Sequence, residues 1–203
     1  MSGSGGVVAV VLAGGAARRM GGGDKAVRLL AGRPLLSHVL ARIAPQVLAV
    51  ALNANGDPAR FAAFGLKVLP DDAMQAGQGP LAGVLAGLRW AASEHPGALL
   101  LSVPTDTPLL PEDLVTRLSA ALAASGAAVA CASSGGRLHP VVALWPPQAA
   151  PVLAAALAAG RGGVQAAAAS LGLAVAEFAA APVDPFMNIN DPAALAAAEA
   201  SLR

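Results

Sequence analysis

The segment Leu12-Ala13-Gly14-Gly15-Ala16-Ala17-Arg18-Arg19-Met20-Gly21-Gly22-Gly23-Asp24-Lys25 concentrates glycine and positive charge directly behind an aliphatic run, Val7–Leu12. Glycines let backbone N–H groups come close to an anion. Arg19 and Lys25 can neutralise phosphate oxygens, and an arginine can do so with two parallel hydrogen bonds. The chemistry is therefore that of a phosphate cradle. The loop lacks the Gly-x-x-x-x-Gly-Lys-[Ser/Thr] order of a P-loop and the Gly-x-Gly-x-x-Gly of a dinucleotide fold. A Gly77-x-Gly79-x-x-Ala82 match has Pro80 inside it and begins well past the nearest aliphatic run.

A second candidate is Asp106, in Pro104-Thr105-Asp106-Thr107-Pro108, just behind the run Leu99–Val103. Two prolines stiffen this loop. A carboxylate fixed there suits Mg²⁺, which takes oxygen ligands and keeps waters and substrate phosphate oxygens around it. The competing role is a turn residue or helix cap. Glu112 and Asp113 are assigned that simpler role, at the start of a helix. Asp71 and Asp72 follow a further short apolar run. A carboxylate in this place can accept hydrogen bonds from the donor edge of a purine. Position behind the strand favours Asp71, while counting back from Gly79-Pro80 leaves Asp72 open. Asn53 ends another run and from position alone is a capping residue. His139, before Pro140, is read as structural. Asn188 and Asn190 flank Ile189 in a segment that by itself is a turn leading to a last helix.

The elements that must carry these residues follow from periodicity. Short aliphatic runs predict strands at Val7–Leu12, Val47–Leu52, Leu66–Leu69, Ala98–Val103, Ala127–Ala132, Leu138–Trp145 and Leu173–Phe178. Helical patterns occupy Pro34–Ile43, Pro58–Phe64, Pro80–Ser93, Pro111–Ala124, Pro151–Ala159, Val164–Ser170 and Pro192–Leu202. Strands alternating with helices predict a three-layer, Rossmann-like α/β fold, with a mostly parallel twisted sheet covered by helices on both faces. Ligands of such sheets bind beyond the carboxyl ends of the strands. Ala13–Lys25, Asn53, Asp71–Gly79 and Pro104–Pro108 all fall there.

Composition narrows the class. Of 203 residues 56% are hydrophobic and only 12% charged, and about a quarter are alanine. The mean hydropathy of +0.62 is high. Yet the uncharged stretches are broken by Gly and Pro and are otherwise alanine-rich, unlike a spanning segment of about 20 strongly apolar residues. No membrane association is expected. With a net charge of +1 and no basic block, nucleic-acid binding is not expected either. One cysteine, Cys131, excludes an internal disulfide framework and suits the reducing cytoplasm. The first six residues, rich in Ser and Gly, read as a flexible start to one domain spanning 1–203, with no secretory leader.

The order Leu-Ala-Gly-Gly-x-x-x-Arg-Met-Gly, followed by Asp24-Lys25, resembles the signature of molybdenum cofactor guanylyltransferases (the MobA family). The resemblance extends from about Val7 to Leu195, through Gly79-Pro80-Leu81-Ala82-Gly83, the Asp106 loop, His139-Pro140-Val141 and Asn188-Ile189-Asn190. It implies GTP contacts at Leu12, Ala13, Gly14, Gly15 and Lys25, and at Asn53, Asp71, Gly79 and Asp106. It also implies Mg²⁺ on Asp106, catalytic roles for Arg19, Lys25 and Asp106, and molybdopterin contacts at Asn188 and Asn190. The reaction it implies is transfer of GMP from GTP to a terminal phosphate of molybdopterin, with release of pyrophosphate. The protein would be a monomer or weak oligomer in transient contact with other proteins of the cofactor pathway. The opening signature is shared with cytidylyltransferases for molybdopterin or sugar-like phosphates, which is the alternative reading. A non-catalytic nucleotide-binding module is the further rival; the intact Arg19, Lys25 and Asp106 argue against it.

Overall fold

The computed structural model describes residues 6–14, 24–72 and 77–202. Gly15 and Arg19 lie outside the described residues, as do the first five residues. Strand β1 is Val7–Leu12. A 3₁₀ turn at Lys25–Val27 leads into a small hairpin of β2, Leu29–Leu30, and β3, Arg33–Pro34. Then come α1 (Leu35–Ile43), β4 (Val50–Asn53), a 3₁₀ helix at Pro58–Phe64, and β5 (Lys67–Leu69). Helix α2 (Pro80–Glu94) precedes β6 (Leu99–Pro104) and α3 (Leu114–Ser125). The second half contains β7 (Val129–Ser134), β8 (Arg137–Trp145), α4 (Ala149–Ala158), α5 (Val164–Ser170), β9 (Leu173–Phe178) and α6 (Pro192–Ser201).

The main sheet has seven strands in the order β5-β4-β1-β6-β8-β7-β9. All neighbours are parallel except β8, which runs antiparallel to both β6 and β7. Central strands buried on both faces need apolar residues at every position, and Val8–Val11 are completely buried. One face carries α2, α4 and α5 over Val8, Val10, Leu100 and Trp145. The opposite face carries α1 and α3 over Ala9, Val11, Leu101 and Leu144. The expected three-layer fold is present. Helix α6 forms a third, smaller cluster with the β2–β3 hairpin, through Leu30, Leu35, Ile189 and Ala198.

Several boundaries differ from expectation. The strand expected at Val47–Leu52 begins only at Val50, because Ala44–Gln46 forms a 3₁₀ turn and Leu48 is 70% exposed. The helix expected from Pro111 begins at Leu114. Glu112 instead pairs with Arg42, and Asp113 takes the N-cap position without a side-chain cap bond. The strand expected to end at Ala132 continues through Ser134, so the turn tightens to Gly135-Gly136, both with positive φ.

Cys131 is fully buried in β7, and burial pushes its thiol up to about 11. The thiolate is the reactive form. The native protein is therefore expected to resist thiol-modifying reagents near neutral pH and to react with one equivalent once denatured; a colorimetric thiol titration checks this.

Candidate active site

Four parallel strands, β5, β4, β1 and β6, end at one edge of the sheet, and the charged groups collect there in two clusters. The first surrounds Lys25. Asp24 caps the 3₁₀ turn, its Oδ1 accepting from the Ala26 N–H at 3.1 Å, which fixes the backbone that carries Lys25. The Lys25 ammonium donates to Asp106 Oδ2 at 2.6 Å and to Asn190 Oδ1. Three residues expected in the site, 81 and 165 positions apart from Lys25 in sequence, thus meet in one place. Both charged side chains are largely shielded, at 14% and 20% exposure. The Asp106 loop is held independently. Its Thr105 N–H and Oγ1 both donate to the Leu12 carbonyl, Thr107 Oγ1 donates to the Pro104 carbonyl, and the Asp106 carbonyl accepts from the Ile189 N–H at 2.8 Å. The buried Ile189 anchors this segment, with exposed Asn188 and Asn190 on either side. Asp191, not Asn190, caps α6 through the Ala194 N–H.

The second cluster surrounds Asp71. Asn53, buried at the end of β4, donates from one amide to the Leu69 carbonyl at 3.0 Å and to Asp71 Oδ1 at 2.9 Å. Asn55 donates to Asp71 Oδ2 at 2.7 Å and accepts from the Asp71 N–H at 2.8 Å. Asp72 turns instead to Arg89, at 3.1 Å. The geometry therefore separates the two aspartates that the sequence left open: Asp71 shares the cluster with Asn53, and Asp72 pairs on the surface. Asn55 was not among the expected residues, since Asn-Ala-Asn-Gly reads as an ordinary turn.

Between the clusters lies the start of the glycine loop. Ala13 donates its N–H to the Asn53 carbonyl at 2.8 Å, and Leu12 is buried with its carbonyl occupied. Gly14 is exposed, with open space where a side chain would be. Gly79 sits at the N-cap of α2 with φ +81, followed by Pro80 at the first helical position.

On the far side of Asp106, the segment ahead of Asn188 is tied to the β7–β8 hairpin. Ser134 Oγ donates to Asp184 Oδ1 at 2.8 Å, so its contact with His139 Nε2, also 2.8 Å, requires the histidine nitrogen to donate. The His139 ring lies 4.6 Å from that of Phe186, and Asp184 Oδ1 also accepts from the Phe186 N–H. His139 thus anchors the segment ahead of Asn188, in agreement with its structural reading. Burial is the main cause lowering its pKa below 6.5, with the charge of Asp184 opposing. A histidine kept neutral in the fold takes up its proton more readily when unfolded. Stability is then lost as pH falls from about 6.5 towards the lowered native value, and no further below it. Denaturant titrations across this window should show a shallower pH slope for His139→Gln than for the parent chain.

Among the described residues no group of three or more His, Cys, Asp or Glu could hold a metal. Among the described residues one carboxylate stands against Lys25, that of Asp106 through Oδ2. That set fits an ion that takes one carboxylate and draws its other ligands from substrate phosphates and water, as Mg²⁺ does. Among the described residues, no helix is long and apolar enough to cross a membrane.

Residues 9–175 match the family of MobA-like NTP transferase domains. The molybdenum cofactor guanylyltransferase of Bradyrhizobium sp. (strain ORS 278) is 50% identical over 195 residues, which cover 95% of this chain and 92% of that one. That of Acidiphilium cryptum (strain JF-5) is 53% identical over 193 residues, 95% and 93% of the two chains. Among solved structures, molybdopterin-guanine dinucleotide biosynthesis protein A from Archaeoglobus fulgidus superposes with a TM-score of 0.74, at 22% identity, covering 96% of this chain and 98% of that one; it shows the common fold. Motifs, fold and extended identity agree, and the chain belongs to the molybdenum cofactor guanylyltransferases, a family of MobA-like nucleotidyltransferases.

Proposed function

We propose that this protein transfers GMP from GTP to the terminal phosphate of molybdopterin, releasing pyrophosphate. The observation that carries the reading is the Lys25–Asp106–Asn190 junction, which joins residues expected on the nucleotide side, the metal and the second substrate. Order along the sheet supports a direction for each substrate. Strand β5, which leads to Asp71, and β6, which leads to Asp106, are separated by β4 and β1, three inter-strand spacings or about 14 Å. That distance suits a nucleotide whose base meets Asp71 and whose phosphates lie over the Gly14–Gly15 loop, towards Lys25, with Arg19 supplying further charge. Gly79, at the amino end of α2, lets backbone approach the nucleotide. Asn188 and Asn190 then face molybdopterin from the β8 side.

The attacking phosphate oxygen is already anionic, so no strong base is needed. Catalysis rests on in-line placement and on neutralising the charge of the leaving pyrophosphate. The Lys25 ammonium does the latter once substrate phosphates compete for it, and Asp106 and Asn190 hold it in place beforehand. Asp106 would hold Mg²⁺, which supplies charge neutralisation at the phosphate oxygens. The setting is a cytoplasmic one, and the enzyme acts as a monomer or weak oligomer in transient contact with other proteins of the pathway.

Base choice is tested by calorimetric titration with GTP and with CTP in the presence of Mg²⁺. Tighter binding of GTP is expected. Preference for CTP would install the cytidylyltransferase alternative.

A further inference from the structure

The carboxylate of Asp71 has room for about four hydrogen bonds, two on each oxygen. The Asn53 amide takes one on Oδ1 and the Asn55 amide one on Oδ2. What remains is one acceptor position on each oxygen, side by side, which matches a pair of adjacent N–H donors. Guanine offers such a pair in its N1–H and 2-amino groups. The χ2 torsion of an aspartate is broad, so this match lasts only while the carboxylate plane is held. Asn53 reaches one oxygen alone. Asn55 grips Asp71 at two points, its Oδ2 and its backbone N–H.

Asn55 is itself held from behind. The Arg60 guanidinium donates from Nη2 to the Asn55 carbonyl at 2.6 Å and from Nε to the Asp57 carbonyl at 3.0 Å. Its Nη1 lies 3.0 Å from Asp24 Oδ2, the residue that caps the turn of Lys25. One fork thus joins the loop behind Asp71 to the backbone that presents Lys25. Lysine, with a single nitrogen, could not span these three partners.

We propose that Asn55 is a specificity-determining positioning residue. It fixes the Asp71 carboxylate as a two-acceptor edge for guanine, and Arg60 braces it against the Lys25 turn so that base reading and phosphate placement share one frame. The proposal rests on Asp71 as the base-reading group and adds what orients it.

The test compares GTP with ITP, which retains N1–H but lacks the 2-amino group, by calorimetric titration of the full chain with Mg²⁺. The parent protein should prefer GTP by about tenfold or more. Asn55→Ala, at an exposed position that should leave thermal melting nearly unchanged, is expected to abolish most of that preference by weakening GTP and sparing ITP. Arg60→Lys should reduce it by about threefold. An unchanged preference in Asn55→Ala would overturn the positioning role, and an unchanged preference in Arg60→Lys would overturn the brace. Asp71→Asn distinguishes the levels. If it removes the preference and Asn55→Ala does not, only the positioning role is lost; if it too leaves the preference intact, base reading at Asp71 fails and the proposal with it.

Discussion

Replacing Asp106 with alanine is expected to lower GTP-dependent pyrophosphate release by about a hundred- to a thousandfold, the scale on which removal of a transition-state stabilising group acts. The substitution removes the only carboxylate placed against Lys25 among the described residues, and with it the group proposed to hold Mg²⁺. The fold should survive. The loop is secured by backbone contacts, the Asp106 carbonyl on the Ile189 N–H and Thr105 on Leu12, and these do not depend on the side chain. Asp106→Asn is the sharper control, since it keeps size and hydrogen bonding while losing charge. Activity close to the parent in either variant would remove Asp106 from the metal and catalytic roles. Circular dichroism and steady-state pyrophosphate release measure the two halves of the prediction.

The second large effect belongs to a glycine. Gly83, one turn into α2, faces the end of β4 so closely that an added Cβ would lie 2.2 Å from Asn53 Oδ1 and 2.9 Å from Leu12 Cδ2. Asn53 cannot yield easily, because its amide is already bonded to Leu69 and Asp71. Gly83→Ala is therefore expected to destabilise the protein by about 1–3 kcal/mol, the usual cost of overpacking. It should also weaken GTP binding by about tenfold or more, through displacement of Asn53 and hence of Asp71. Thermal melting and GTP titration read these separately. Loss of stability with intact GTP affinity would show that the α2–β4 contact is structural only. In the sequence Gly83 stands only as part of the Gly79-Pro80-Leu81-Ala82-Gly83 motif; the structure shows that the group approaching it is the Asn53 side chain.

Much of the frame was legible because burial on two faces leaves a simple mark. Val7–Leu12 and Leu173–Phe178 are strands, and Val164–Ser170 is a helix, with the expected bounds. The β2–β3 hairpin was not legible. Each strand has two residues, and the turn between them places Ala31 at φ +48, a conformation that an alanine does not announce. At the edge of the sheet, the residues that the sequence singled out are those with strong chemical character. Lys25 and Asp106 stand out by type and by position behind a strand, and Asn190 through a family motif. Asn55 and Arg60 were missed for the opposite reason. Each is a polar residue in a turn or on an exposed surface, where such residues are ordinary, and only folding shows that their hydrogen bonds converge on Asp71 and Asp24. That Asp71 meets Asn53 while Asp72 pairs with Arg89 likewise shows only in the third dimension.

The central claim is nucleotidyl transfer, and the most direct measurement is release of pyrophosphate by the full chain supplied with GTP, molybdopterin and Mg²⁺. The expected result is release that requires all three and yields one guanine dinucleotide product per pyrophosphate. Tight binding of GTP without pyrophosphate release would contradict it and make the protein a nucleotide-binding module.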